Sequence, residues 1–364
     1  MRSAPYFLLF ALFAVGCADE SSDPGAKHPT DQAPAPSGDV GRVAAPAATP
    51  PAQPPSRLFV IGGDDGANAQ TDVWSAELLD DGTLKEFRAE GALPSARTRH
   101  AVVLSGQSIL VLGGDDDTSQ TGVRILATPE ALGNGIVSWQ DQGALQRATS
   151  SFATASNGID VMVIGGQEHT ADTRLLEQAS MVTLDRGAVR GSHEIAPLPS
   201  ARSRFAAARL GSYVYAVGGE TSSGPLGEVL FGHVRDDNGW ITRWDAAAPL
   251  SSPRVDHAVV ASGDHVFSIA GYTGNAIIDE VSVAYVSDQG QLHGWDTVSK
   301  LPSPRYAHCA TTSGAHIYVV GGLSDQSPLD EVLETTANAN GTLEPWRIVG
   351  HIPAGRAHAG CVVR

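Results

Sequence analysis

An apolar run that ends in a pair of small residues occurs six times in this chain: RLFVIGG (57–63), SILVLGG (108–114), DVMVIGG (160–166), YVYAVGG (213–219), HVFSIAG (265–271) and HIYVVGG (316–322). The period is about 52 residues. Self-similarity at such a period belongs to repeat architectures, in which each unit buries its apolar face against its neighbours.

Other signals recur in register with these runs. About sixteen residues before the glycines stands a turn with Pro and Arg: LPSARTRHAVV (93–103), LPSARSRFAAA (198–208), LSSPRVDHAVV (250–260) and LPSPRYAHCAT (301–311). A first strand follows it, and a second runs into the glycines. A third comes next, such as TDVWSAEL (71–78) or DEVSVAYV (279–286), and a fourth is marked by Gly-x-Leu-x-x-Trp, as in GQLHGW (290–295) and GTLEPW (341–346). Short strands at even spacing predict an all-β closed assembly. Glycine at the end of the second strand fits a backbone that needs positive φ or close approach by a neighbour.

This set of signals resembles the kelch repeat. The resemblance covers residues 57–364 and implies a six-bladed β-propeller of four-stranded blades around a channel. The segment 57–63 is a second strand with no first strand before it, and RAHAGCVVR (356–364) reads as a first strand with no second after it. The C-terminal strand is therefore expected to complete blade one and close the ring. Blade three departs most from the pattern, with Thr149, Phe152 and Ser192 at the Arg, His and Trp positions. Blade five carries Ala270-Gly271, and Phe87 replaces the Trp of blade one. Trp139, Trp244, Trp295 and Trp346, each at a fixed place in its repeat, are expected to pack between blades.

Ahead of the repeats, residues 1–17 (MRSAPYFLLFALFAVGC) combine one cation, a short apolar core and small residues before Cys17. That is a secretory signal. Ala14-Val15-Gly16-Cys17 resembles the bacterial lipobox, which implies lipid attachment at Cys17, a membrane anchor in the cell envelope and, in a diderm source, an outer-membrane address. Residues 18–56, rich in Pro, Ala, Ser and Asp, read as a disordered tether. With Cys17 used by the anchor, Cys309 and Cys361 remain. They fall in the first strands of adjacent blades, in a compartment that permits disulfides. Counted from the His position they lie one and two residues along, which suggests opposite strand faces and two free thiols, with a bridge left open.

Forty acidic against 24 basic residues give a formal charge of −16, which excludes a nucleic-acid partner, since such binding rests on neutralising phosphates. Neither His-Glu-x-x-His, Gly-x-Ser-x-Gly nor a phosphate-cradling loop is present, so an enzyme is not the first expectation and no cofactor is implied. Asp64, Asp65, Asp115, Asp116 and Asp117 lack EF-hand spacing, and His100, His257 and His308 stand in blades that are not all adjacent, so no metal site is expected.

In an up-and-down blade the turn before the first strand and the loop after the second share one end. Arg97, Arg202, Arg254, Arg305 and Arg356 thus lie on a rim with the variable loops 64–70, 115–121, 167–173, 220–226, 272–278 and 323–329. Variable loops on a rigid ring form a binding surface. The resemblance to peptide-binding kelch propellers implies a ligand at this end, with Arg254, Arg305, Arg356, His257, His308 and Tyr306 densest and Arg97, Arg202 and His100 beside them. Against this, arginines at equivalent positions also suit a structural role, clamping loops through carboxylate or carbonyl contacts. The expected role is that of a monomeric binding or scaffolding module for a protein, peptide or glycan. Its rivals are a carbohydrate-active enzyme of the kelch mutarotase type, with carboxylates converging on a deep polar pocket, and a purely structural envelope protein, with a plugged channel.

Overall fold

The computed structural model describes residues 55–116, 123–129, 136–147, 149–169, 173–185, 188–235 and 239–364. The signal segment, Cys17, most of the tether, Asp117 and the rest of the loop 115–121 after it, and residues 170–172 of the loop 167–173 lie outside the described residues. Every regular element among those described is a strand.

Most of the strands form antiparallel four-stranded sheets, and all but one of these sheets are built from consecutive chain; Gln167–His169 with Thr173–Leu175, and Glu220–Thr221 with Gly224–Pro225, form small two-stranded ribbons. Sheet six shows the pattern: Cys309–Ser313, His316–Val320, Glu331–Thr336 and Arg347–His351, paired in chain order. Sheets two to five repeat it. Sheet one draws its first strand from the other end of the chain: Gly360–Val363 pairs with Arg57–Ile61, followed by Gln70–Glu77 and Arg88–Arg97. The Arg57 amide donates to the Arg364 carbonyl at 2.7 Å, and the Arg364 amide returns a bond at 2.9 Å. This is an all-β propeller fold.

The second strands are continuous apolar runs because both of their faces are covered by neighbouring sheets. Arg57–Ile61 and Ser108–Leu112 are buried at every position, whereas the outermost strand Arg347–His351 has no buried residue. The core accordingly lies in the seams. Leu58, Val60 and Trp74 of sheet one pack with Tyr318, Val320 and Val332 of sheet six, and Tyr215 and Phe231 of sheet four pack with Val266 and Ala284 of sheet five.

The tryptophans of the repeat motif belong to these seams. Trp244 Nε1 donates to the Ala196 carbonyl and Trp295 Nε1 to the Ala248 carbonyl, both at 2.9 Å, and Trp346 Nε1 donates to Ser299 Oγ at 3.0 Å, always into the preceding repeat. Phe87 takes the equivalent place against sheet six. One detail differs from the sequence reading. In sheets five and six the Gly-x-Leu-x-x-Trp motif forms the turn before the outer strand, with Val286 bridged to Leu292 and Ala337 to Leu343, so the strand begins only after the Trp.

The free-thiol expectation for Cys309 and Cys361 is corrected: they form a disulfide, with Cα atoms 5.8 Å apart. Opposite faces preclude a bridge within one sheet, but these strands belong to adjacent sheets stacked face to face. There one strand's upper face meets the other's lower face, and opposite parity is what brings the sulfurs together. The bridge fixes the last strand to sheet six across a sequence separation of 52. Cys309→Ser is expected to lower unfolding free energy by about 2–4 kcal/mol. Denaturant melts of oxidised wild type and variant check this, and coincident curves would contradict it.

A charged cavity as candidate ligand site

The diglycines and the Arg turns meet across every seam. The second residue of each pair donates its amide to the carbonyl at the Arg position of the next repeat: Gly63 to Arg97, Gly114 to Thr149, Gly166 to Arg202, Gly219 to Arg254, Gly271 to Arg305 and Gly322 to Arg356, at 2.8–3.0 Å. Glycine is required by this approach. A Cβ on Gly321, at φ +61°, would stand 2.4 Å from the Arg356 carbonyl oxygen.

Two residues beyond each Arg position the chain turns left-handed on a side chain other than glycine: Arg99, Ser151, Arg204, Asp256, Ala307 and His358 all have φ between 48° and 55°. Such conformations cost of order 1 kcal/mol each and persist where the surroundings enforce them. Here a chain of backbone bonds does so, with Ser151 donating to Arg99, Arg204 to Ser151, Asp256 to Arg204, Ala307 to Asp256 and His358 to Ala307, at 2.7–3.0 Å. The intervening residue of each turn exchanges two bonds with the residue after the diglycine, as in Thr98 with Asp115 and Tyr306 with Leu323. The result is a double collar at one end of the sheets.

The collar surrounds a cavity of about 990 Å³. Five of the six left-handed residues line it, with Ala307 excepted, and so do Asp64, Asp115, Gln167, Glu220 and Leu323 from the second tier. The loop 323–328 completes the wall. Most of its charges are paired. Arg204 bonds both Glu220, at 3.1 Å, and Asp256; Arg99 reaches Asp115 at 3.5 Å; and His358 Nδ1 lies 2.9 Å from Asp64 Oδ2, which also accepts from Thr98 Oγ1 at 2.7 Å. Burial works to raise the Asp64 pKa, but the bonds from His358 and Thr98 prevail and hold it below the usual carboxylate value. Burial works to lower the Arg204 pKa, and its two carboxylate partners outweigh it and raise it.

Of the residues expected on the binding face, only Tyr306 is among the described cavity-lining residues. Direct ligand contact by the arginines is corrected: Arg97, Arg202, Arg254, Arg305 and Arg356 are at most 4% exposed. All five reach a turn or strand of their own sheet. Arg97 and Arg305 donate to the Gly113 and Gly321 carbonyls, and Arg202, Arg254 and Arg305 pair with Glu228, Glu280 and Glu331 at the start of the third strand. Arg356 pairs with Asp72 and lies 4.6 Å from the Trp74 ring centroid. The guanidinium fork is spent on holding each sheet to its turn.

His100, His257 and His308 are likewise buried beneath the collar. Burial first, then the adjacent arginine, pushes each pKa down to about 3. His100 Nε2 donates to the Ile61 carbonyl at 3.1 Å. A histidine whose folded pKa lies below its unfolded value stabilises fully above the unfolded value, about 6.5, and that contribution is lost as pH falls toward 3. Phe152 and Phe205 occupy the same place in repeats three and four. His257→Phe is therefore expected to keep the fold and flatten the decline of urea midpoint between pH 6.5 and 3; an unchanged slope would refute this.

The cavity residues the sequence reading missed sit inside the Arg motif, as its second variable position. The signal was present: Arg, Ser, Arg, Asp, Ala and His succeed one another there inside an otherwise repetitive frame. The variable loops were placed at the correct end, since Asp64, Gly66 and residues 323–328 line the cavity. Among the described residues no group of three His, Cys, Asp or Glu side chains is arranged to hold a metal.

Sheets, seams and cavity define a β-propeller, and comparison with known proteins supports a kelch type. The chain is 27% identical over 138 residues to Kelch-like protein 15 of Gallus gallus, 27% over 175 residues to Kelch-like protein 33 of Homo sapiens, and 24% over 225 residues to human Kelch-like protein 15. These alignments cover 36%, 44% and 56% of this chain but only 26%, 31% and 35% of the relatives, so the chain spans about a quarter to a third of their length. The solved structure of YjhT superposes with a TM-score of 0.61 over 82% of this chain and 99% of that one, at 14% identity, a likeness of fold. No family model matches.

Proposed function

We propose that this chain is an envelope-anchored binding or scaffolding module: a monomeric six-bladed propeller, closed by its C-terminal strand, that receives a protein or glycan partner in the collar cavity. The observation that carries the reading is the collar itself. A backbone frame repeated in every seam holds side chains of different chemistry around one open volume, which separates the task of folding from the task of recognition. Support for a single closed ring comes from the first strands, each of which touches the next around a complete cycle that includes Gly360–Val363. The kelch-like relatives favour a protein partner.

A purely structural role is disfavoured by the open cavity. The enzymatic alternative, a carbohydrate-active enzyme, draws on the convergence of Asp64, Asp115, Glu220 and Asp256 on it. An array of peptides and glycans probed with the full-length protein in detergent tests the binding reading. Hits should weaken with Ser151→Trp, which fills the collar; hits indifferent to that change would overturn it. Anchoring is carried by the lipobox-like Ala14-Val15-Gly16-Cys17. Cys17→Ala should release the protein into the soluble fraction, and an unmodified mature N-terminus elsewhere would refute the lipid.

A further inference from the structure

We propose that the partner presents a cationic group, an ammonium or guanidinium, to this cavity, seated against Tyr306 and Asp325. The proposal rests on the binding reading and adds the ligand's chemistry. Among the described lining residues five carboxylates face two guanidinium groups, a formal charge of −3 with His358 neutral. The sign is opposite to that expected had the buried Arg254, Arg305 and Arg356 formed the mouth.

The two arginines have little to give an anion. Arg204 uses Nε and Nη2 on Asp256 and Nη1 on Glu220, so two carboxylates share one guanidinium and a negative charge is left over. Arg99 is committed to Asp115, though at the longer distance of 3.5 Å. An entering carboxylate would have to compete with these partners inside a wall of like charge.

A cation meets the reverse. Tyr306 and Leu323 are joined by two backbone bonds, and Asp325 follows two residues on, at the tip of a turn closed by Ser324, whose Oγ donates to the Ser327 carbonyl at 3.0 Å and accepts from the Gln326 and Ser327 amides at 3.2 Å. Asp325 is exposed. The Tyr306 ring is positioned by Tyr272, their centroids 6.1 Å apart. Tyr306 and the exposed Asp325 line the same cavity, an aromatic ring and a carboxylate together favour alkylammonium and guanidinium ions, and Leu323 and Pro328 offer apolar contact to a methylene stem.

The test is fluorescence anisotropy with the full-length protein in neutral detergent, using labelled Gly-Lys and Gly-Glu repeat peptides, with unlabelled spermidine as competitor. The Gly-Lys peptide should bind and the Gly-Glu peptide should not. Asp325→Asn should weaken binding about fivefold, the scale of one exposed ion pair, and Tyr306→Leu by a similar factor. Because the whole chain is acidic, Asp288→Asn, in a turn at the other end of the sheets, is the control and should change nothing. Displacement by spermidine at lower concentration than by peptide would assign the ammonium to a small molecule; the reverse would assign it to a basic segment. The proposal is overturned if the Gly-Lys peptide fails to bind, if its binding ignores both cavity substitutions, or if Gly-Glu binds and is lost with Arg99→Ala. That last result would leave the cavity as the site and reverse only its charge preference. Array hits insensitive to cavity substitutions would instead remove the binding reading itself.

Discussion

Removal of residues 359–364 is expected to unfold the sheets as a unit. The deletion takes away the strand Gly360–Val363 and its ladder to Arg57–Ile61, the backbone exchange between Arg57 and Arg364, and the disulfide to Cys309. It uncovers the edge of a strand that is buried at every position and opens the apolar seam that joins sheets one and six. Losses of this kind compare with the whole stability of a domain, about 5–15 kcal/mol. Circular dichroism melts and limited proteolysis of the truncated protein provide the measurement. A melting temperature within a few degrees of wild type would show that the C-terminal strand is dispensable and the closure wrong.

The second large effect is expected from Arg305→Ala. The guanidinium is fully buried and bonds the Gly321 carbonyl at 3.1 Å, Ser303 Oγ at 2.8 Å and Glu331 at 2.7 Å. Alanine leaves a void among polar groups that have lost their donor. Glu331 keeps 26% of its side chain exposed and recovers some hydration, which places the cost near the lower end for broken buried pairs, about 3 kcal/mol. Ligand affinity of the folded fraction should be little changed. Arg99→Ala, in the collar, should show the converse, with stability altered by no more than about 0.5 kcal/mol. Paired melts and titrations separate the two, and an Arg305→Ala protein that melts normally but binds nothing would restore the buried arginines as the site.

The contrast between Arg305 and Arg99 also marks what the sequence made legible. The repeat frame could be read because its causes are local: an apolar run buried on both faces, glycines where a carbonyl comes within contact of any Cβ, a tryptophan at one place in four of the six units. Which end would carry the variable loops followed from strand direction. The arginines were expected on an open face because recurrence was read as exposure, and they are buried. Arg254, Arg305 and Arg356 recur because each solves the same packing problem in its own sheet, whereas the residues two places on differ because the backbone holding them makes no demand on their side chains. The disulfide was missed for a related reason: parity along a strand sorts faces within a sheet, and Cys309 and Cys361 meet across a seam.

The mutual backbone bonds of Arg57 and Arg364 bear on engineering as well as stability. Since these two residues are hydrogen-bonded neighbours, a short flexible linker can join them while the chain is opened elsewhere, for instance at the turn around Gly314 between the first two strands of sheet six. Sheet one would then be made from continuous chain and sheet six from both ends of it. Such a circular permutant should refold with the same collar and the same cavity, and its disulfide, which would then close a far longer loop than in the parent order, should contribute more to stability.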